Sequence, residues 1–296
     1  MEKNTVSEAE NRGPKAEITE LKADDAGLKA INTGLKAENE GLKAENAGLK
    51  TDKTVLQVNK TYWNKNADSW FGVTALPVYG VQFVTENELH LFGDVTGKTM
   101  LEIGCGSGHS LKYHADRHAG ELWGLDMSQK QLDNAKEFLA SNQYYPKLIC
   151  SPMEAECGIP GNYFDIVYSI YAIGWATDLD QVFRRIASYL KQGGTFIFSW
   201  KHPLHGCVRV DNGKLIFDKS YFDEEWHTQI VDEMEIMLSN RKISTYINAL
   251  TEAGFIIEKM VEQTDDETLQ MKGDIDDRSK KAQKLPLSFI FKTRKV

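Results

Sequence analysis

Downstream of about residue 57 the chain alternates two kinds of apolar pattern. Short apolar runs bounded by Gly, Pro and Asp predict strands, and stretches with apolar residues every three or four positions predict helices. The strands fall at 98–103, 121–126, 146–150, 163–170, 194–200, 254–262 and 286–293, the helices at 108–117, 128–141, 178–190 and 243–253. Strands that alternate with helices imply right-handed crossovers and a mostly parallel sheet. Gln57 to Trp70 reads as a leading helix with aromatic pairs Tyr62-Trp63 and Trp70-Phe71, and the acidic stretch Glu262 to Asp277 as a solvated loop.

Upstream the rhythm changes. Leu21, Leu28, Leu35, Leu42, Leu49 and Leu56 recur every seven residues. With Leu at d, the a positions are Asp25, Asn32, Asn39, Asn46 and Lys53, and Asn at a favours a parallel dimer at some cost in stability. Continuous helix from Ile18 to Leu56 is on the order of 60 Å long. Gly27, Gly34, Gly41 and Gly48 oppose it, each costing about 1 kcal/mol relative to alanine. A homo-oligomerising coiled coil, a frayed arm and a helix packed on another subunit all remain open. The chain therefore divides into a heptad-repeat arm over 1–56 and an α/β domain over 57–296.

Composition narrows the partners. At 296 residues and 41% hydrophobic, the chain supports one sizeable core plus an appendage. A net charge of −8 with no basic cluster argues against nucleic acid. The apolar runs are strand-sized, which predicts no membrane span, and Met1-Glu2-Lys3-Asn4 does not start a signal peptide. Cys105, Cys150, Cys157 and Cys207 are far apart without a C-x-x-C pair, as thiols in a reducing cytoplasm are, and no metal site is expected.

The chemistry concentrates in Met100-Leu101-Glu102-Ile103-Gly104-Cys105-Gly106-Ser107-Gly108, an apolar run, an acid and three alternate glycines. A turn from strand to helix at the carboxyl edge of a parallel sheet binds ligands, and Asp126 at the tip of the next strand suits ribose hydroxyls. The spacing is not the G-x-G-x-x-G of dinucleotide folds, and no phosphate-gripping Lys follows.

These residues resemble the first motif of the class I S-adenosylmethionine-dependent methyltransferases, hydrophobic-acid-hydrophobic-G-x-G-x-G, and the resemblance extends over about Thr61 to Lys295. It implies a Rossmann-like seven-stranded sheet of order 3-2-1-4-5-7-6 with an antiparallel last strand, helices on both faces, and S-adenosyl-L-methionine as cofactor, with S-adenosyl-L-homocysteine as product. It further implies a cofactor site of Glu102, Gly104, Gly106, Gly108, Asp126 and Met127, with Met153 and Glu154 towards the adenine. Ser169 stands at the end of the fourth motif, and Tyr62 and Trp63 are candidate lid residues. Tyr168-Ser169-Ile170-Tyr171 departs from the Asn/Asp-Pro-Pro-aromatic signature for exocyclic amines, which disfavours those acceptors.

Between the fifth strand and the next helix, residues 201–240 form a long insertion, expected to cap the acceptor. Its His202 and His205 are candidate bases, because a hydroxyl or protonated amine must lose a proton near neutral pH. Tyr171 is the third catalytic candidate, and His109 is expected near the cofactor or at the helix start. Rings such as Tyr168, Tyr171, Trp175, Trp200, Tyr221 and Trp226 suit a cationic intermediate. The expected activity is methylation of a small, fairly apolar metabolite at O, N or C. The alternatives are C-methylation of a prenyl or aromatic carbon with cation-driven cyclisation, and a non-catalytic cofactor-binding scaffold.

Overall fold

The computed structural model describes residues 54–296, together with Thr33, Lys36, Ala37, Glu40, Thr51 and Asp52. The heptad arm expected over 1–56 otherwise lies outside the described residues, and the chain from Thr54 to Val296 forms one unit.

A helix, α1, runs through residues 54–65. After the short α2 (Glu86–Leu89), strand and helix alternate as β1 (Thr99–Ile103), α3 (His109–Ala115), β2 (Glu121–Asp126), α4 (Gln129–Ser141), β3 (Lys147–Cys150) and β4 (Phe164–Ile170). Then follow α5 (Leu179–Tyr189), β5 (Leu190–Lys201), α6 (Pro203–Cys207) and two hairpins, β6 (Val208–Asp211) with β7 (Lys214–Phe217) and β8 (His227–Val231) with β9 (Met234–Leu238). The chain closes with α7 (Ile243–Glu252), β10 (Phe255–Val261), α8 (Asp266–Gln270), α9 (Asp277–Ala282) and β11 (Ser288–Lys295).

The main sheet has seven strands in the order β10-β11-β5-β4-β1-β2-β3. Strand β11 is antiparallel to β5 and β10, and the pairs among β1 to β5 are parallel. This is the 3-2-1-4-5-7-6 arrangement. Side chains alternate across a strand, so β1 feeds two cores, Leu101 and Ile103 on one face and Met100 on the other. Helix α5 buries Leu179, Val182, Phe183 and Ile186, one stripe at helical spacing. Phe183 is completely buried and contributes about 2–3 kcal/mol.

Three elements differ from the sequence reading. Helix α1 gives way to turns before Trp70, where Asn66 turns its side-chain amide back onto the Tyr62 carbonyl at 3.2 Å. The acidic stretch after β10 is not all loop, because Asp265 caps α8 through the Thr268 N–H at 2.7 Å and Asp276 caps α9. The insertion over 201–240 is largely two hairpins. The first turns at Asn212-Gly213, both with positive φ, an Asn-Gly hairpin signal that was visible in the chain.

Candidate active site

The carboxyl ends of β1, β2 and β4 open into a cavity whose empty space, with its open mouth, is about 860 Å³. Leu56 and Trp63 of α1 border it, with Trp70 and residues 72–75, the glycine loop, Asp126, Met127, Met153, Glu154, Tyr171 and Trp175.

The glycine loop has room for no other residue at two positions. Gly104 has φ +73°, and a Cβ there would lie 2.3 Å from the Ala172 Cβ. Gly108 has φ +79° and would meet Leu139 at 2.7 Å. Both demand the left-handed backbone that only glycine takes without strain. The bare turn lets Asp126 close over it: its carboxylate accepts from the Gly106 N–H at 2.9 Å and the Ser128 N–H at 2.8 Å. Burial raises the Asp126 pKa, and the N–H groups of Ser128, Gly106 and Met127 pull it back.

Glu102 lies deeper. Burial holds its pKa well above the ordinary carboxylate value, against hydrogen bonds from Ser110 and Tyr168. At the other wall, Glu154 accepts from the Thr177 N–H at 2.6 Å through Oε1, while its Oε2 is buried without a partner. Burial raises this pKa as well. Gln131 Oε1, on the same cavity, is also buried and unpartnered. Unpaired buried acceptors beside an open space are what a ligand with N–H and O–H donors satisfies. An adenosine whose amino group faces Glu154 and whose ribose faces Asp126 fits this donor and acceptor set.

The mouth is aromatic. Trp63 meets Trp70 edge to face at 5.5 Å and Trp175 at 5.3 Å. Tyr171 completes the wall with a positive φ of 55°, its N–H donating to Ser199 Oγ at 3.1 Å. His109 also borders the cavity; its ring stacks on Phe138 at 4.0 Å and its Nδ1 pairs with Ser107 Oγ at 3.1 Å.

Five of the expected site residues stand outside the cavity lining, the first of them Gly108, which packs against Leu139 and Ala135 of α4. Ser169 is buried and ties β4 to β1 by donating to the Ile103 carbonyl at 2.8 Å. Tyr62 lies behind the cavity, donating to Asp232 at 3.0 Å and accepting from the Trp70 indole at 3.0 Å. His202 caps α6, its Nδ1 accepting from the Leu204 N–H at 3.2 Å, and its Nε2 meets Glu262 at 2.7 Å. Both ring nitrogens are thereby engaged, and burial lowers its pKa. His205 follows in α6, and neither histidine lines the cavity.

No residue of 201–240 lines the cavity either. Hairpin β8–β9 instead grips the opposite side of α1: Asn59 donates to the Met237 carbonyl and accepts from its N–H, each at 2.9 Å. Sequence reasoning missed Gln131, and also Arg241, a buried guanidinium that donates to the Ala176 carbonyl and steadies the loop between Trp175 and Thr177. Nothing in the pattern around Arg241 announces that role.

Residues 101–198 match the family model of the methyltransferase domain. An uncharacterised protein of Haemophilus influenzae is 29% identical over 220 residues, 70% of this chain and 85% of its own. The probable S-adenosylmethionine-dependent methyltransferase CRG1 of Saccharomyces cerevisiae is 31% identical over 137 residues, 46% of each chain, so less than half of that relative is spanned. Among solved structures, an S-adenosylmethionine-dependent methyltransferase from Mesorhizobium loti superposes with a TM-score of 0.60 at 22% identity, over 70% of this chain and 95% of its own. The chain is a class I S-adenosylmethionine-dependent methyltransferase. It is an enzyme that uses S-adenosylmethionine for methyl transfer.

Proposed function

We propose that the enzyme methylates a small, fairly apolar metabolite at an oxygen, nitrogen or carbon atom. The carrying observation is the cavity itself: a buried polar end at Glu102, Asp126 and Glu154 and an aromatic mouth of Trp63, Trp70, Tyr171 and Trp175. In this reading Asp126 holds the ribose, Met127, Met153 and Glu154 the adenine, and the loop of Gly104, Gly106 and Gly108 the amino-acid portion, with Glu102 behind it. When bound, the cofactor supplies an activated methyl group on a cationic sulfur. The chain's own task is alignment, and proximity and orientation supply roughly 7–11 kcal/mol of such barriers.

Of the three catalytic candidates, His202 and His205 stand away from the cavity, poorly placed to take a proton from the acceptor, and Tyr171 borders it. That favours, as a second reading, an electron-rich carbon acceptor, prenyl or aromatic, because ring faces attract the cation formed in such chemistry. Relatives are similarly varied by name: a malonyl-[acyl-carrier protein] O-methyltransferase of Methylovorus at 30% identity and an aklanonic acid methyltransferase of Streptomyces at 29%. We further infer that the heptad arm pairs two copies and that the enzyme works in the cytoplasm. Among the described residues no helix is long and apolar enough to cross a membrane.

The test is calorimetric titration with S-adenosylmethionine, followed by an acceptor screen that detects S-adenosylhomocysteine by mass spectrometry. Methylation of a small apolar compound is the expected result. Turnover on tRNA or protein alone, with no small acceptor methylated, overturns the reading.

A further inference from the structure

Tyr171 borders a second polar region besides the cofactor cavity. A Cβ at Gly80 would sit 2.4 Å from the Ser288 hydroxyl and 3.1 Å from the Tyr171 ring, so these two groups crowd one spot. Ser288 stands opposite Lys201 in the β11–β5 ladder, which puts both side chains on the same face of the sheet. Helix α9 closes the region: Lys281 Nζ donates to the His205 carbonyl at 2.9 Å, and Gln82 donates to Ser279 Oγ at 2.6 Å.

Two things are unresolved chemically in this corner. The first is hydrogen bonding. Of the buried side-chain atoms without a partner among the described residues, Gln82 Oε1 and His205 Nδ1 are here, where Ser288 Oγ has Tyr171 as its neighbour, and Gln131 Oε1 and Glu154 Oε2 belong to the cofactor cavity. Buried polar atoms are otherwise almost always paired, so orphans gathered in one place mark a missing ligand. The second is charge. The ammonium of half-buried Lys201 and the guanidinium of exposed Arg278 have no hydrogen-bond or ion-pair partner among the described residues, and buried Lys281 reaches only backbone carbonyls. Lys219 adds a fourth cation, one that lowers the Lys201 pKa after burial does. Burial first, then Lys281, Lys201, Arg278 and His202, push His205 down to about 3. Of the acids in reach, Asp218 pairs with Arg209 and also faces Lys281, Asp276 caps α9 beside Arg278, and Glu262 meets His202. Lys201, with Lys219 and Lys281 around it and no acid beside it among the described residues, calls for an anion from outside in a chain of net charge −8.

We propose that this corner is the anion subsite of the methyl acceptor, which takes a carboxylate or phosphate group while the reacting end of the same molecule reaches the cofactor cavity past Tyr171. Lys201 and Arg278 supply the charge, and Ser288 and His205 supply donors. The carbonyl of Gln82 accepts from a hydroxyl or a protonated phosphate oxygen. The proposal rests on the methyl-transfer reading and narrows its substrate class to an apolar body with an acidic handle.

The test uses the full chain saturated with S-adenosylhomocysteine, titrated calorimetrically with inorganic phosphate and, separately, with benzoate. Binding of one probe in preference to the other tells phosphate from carboxylate. Lys201→Met and Arg278→Gln are each expected to weaken that binding about tenfold or more, while the exposed control Lys284→Gln leaves it unchanged. S-adenosylhomocysteine affinity is expected to stay within twofold in all three. Arg278 is exposed, so its variant keeps the test meaningful if Lys201→Met fails to fold. Failure of both probes to bind a wild type that binds S-adenosylhomocysteine overturns the subsite alone. Probe binding unaltered by both substitutions does the same. A folded wild type that does not bind S-adenosylhomocysteine defeats the methyl-transfer reading and the subsite with it.

Discussion

At the scale of single residues, Asp126 and Glu102 have opposite relations to stability and binding. Asp126 ties the glycine loop to the start of α4 through two charge-assisted bonds, and Asp126→Ala is expected to weaken S-adenosylmethionine binding tenfold to a hundredfold, about 1.5–3 kcal/mol, by calorimetry. Glu102 is a burial cost at the inner wall of the cavity, and the proposed reading assigns it to the ligand. Its folded pKa is raised above its ordinary value near 4.5, so its contribution to stability is present below that pH and is lost as pH rises through the folded value. Glu102→Gln removes the loss. The variant's gain in melting temperature over wild type is expected to grow from pH 5 to pH 8, while its affinity for S-adenosylmethionine falls. A constant difference across that range would refute the assignment. These two acids and the glycines were legible because a motif with fixed spacing carries them. Ser169 and the two histidines were misplaced for a common reason: position in a motif says which strand end a residue occupies, but not which way its side chain is satisfied. His202 had a local helix to cap and Glu262 within reach.

At the scale of elements, the sheet strands and the helices between them were readable to within about four residues, because each buries a stripe or a face of its own. The insertion was not. Its two hairpins have little core beyond Ile236 and Leu238, and their purpose lies in what they press upon. Asn59, completely buried, joins α1 to β9 through both polar groups of Met237. Asn59→Ala leaves an N–H and a carbonyl unpaired, and a loss of about 1–3 kcal/mol in urea unfolding is expected. S-adenosylmethionine should also dissociate faster, since Leu56 and Trp63 on the same helix border the cavity. Unchanged dissociation kinetics would show that α1 does not retain the cofactor.

At the scale of the whole molecule, the sheet order followed from alternation and family resemblance, whereas the proposed pairing of two copies rests on the heptad pattern of the sequence. Its polar a positions make pairing weak, so full-length protein should change mass with concentration, and Leu35→Lys with Leu42→Lys should yield monomer by light scattering. An oligomer that survives both substitutions would have to form elsewhere. The tryptophans offer a way to watch the active site without any label. Three of the chain's six, Trp63, Trp70 and Trp175, stand edge to face around the cavity mouth. A ligand entering there changes the surroundings of half the indoles at once, so the enzyme's own ultraviolet emission should dim or shift in proportion to occupancy. Filling and emptying of the site thereby become readable as a change of ultraviolet emission in the unmodified protein.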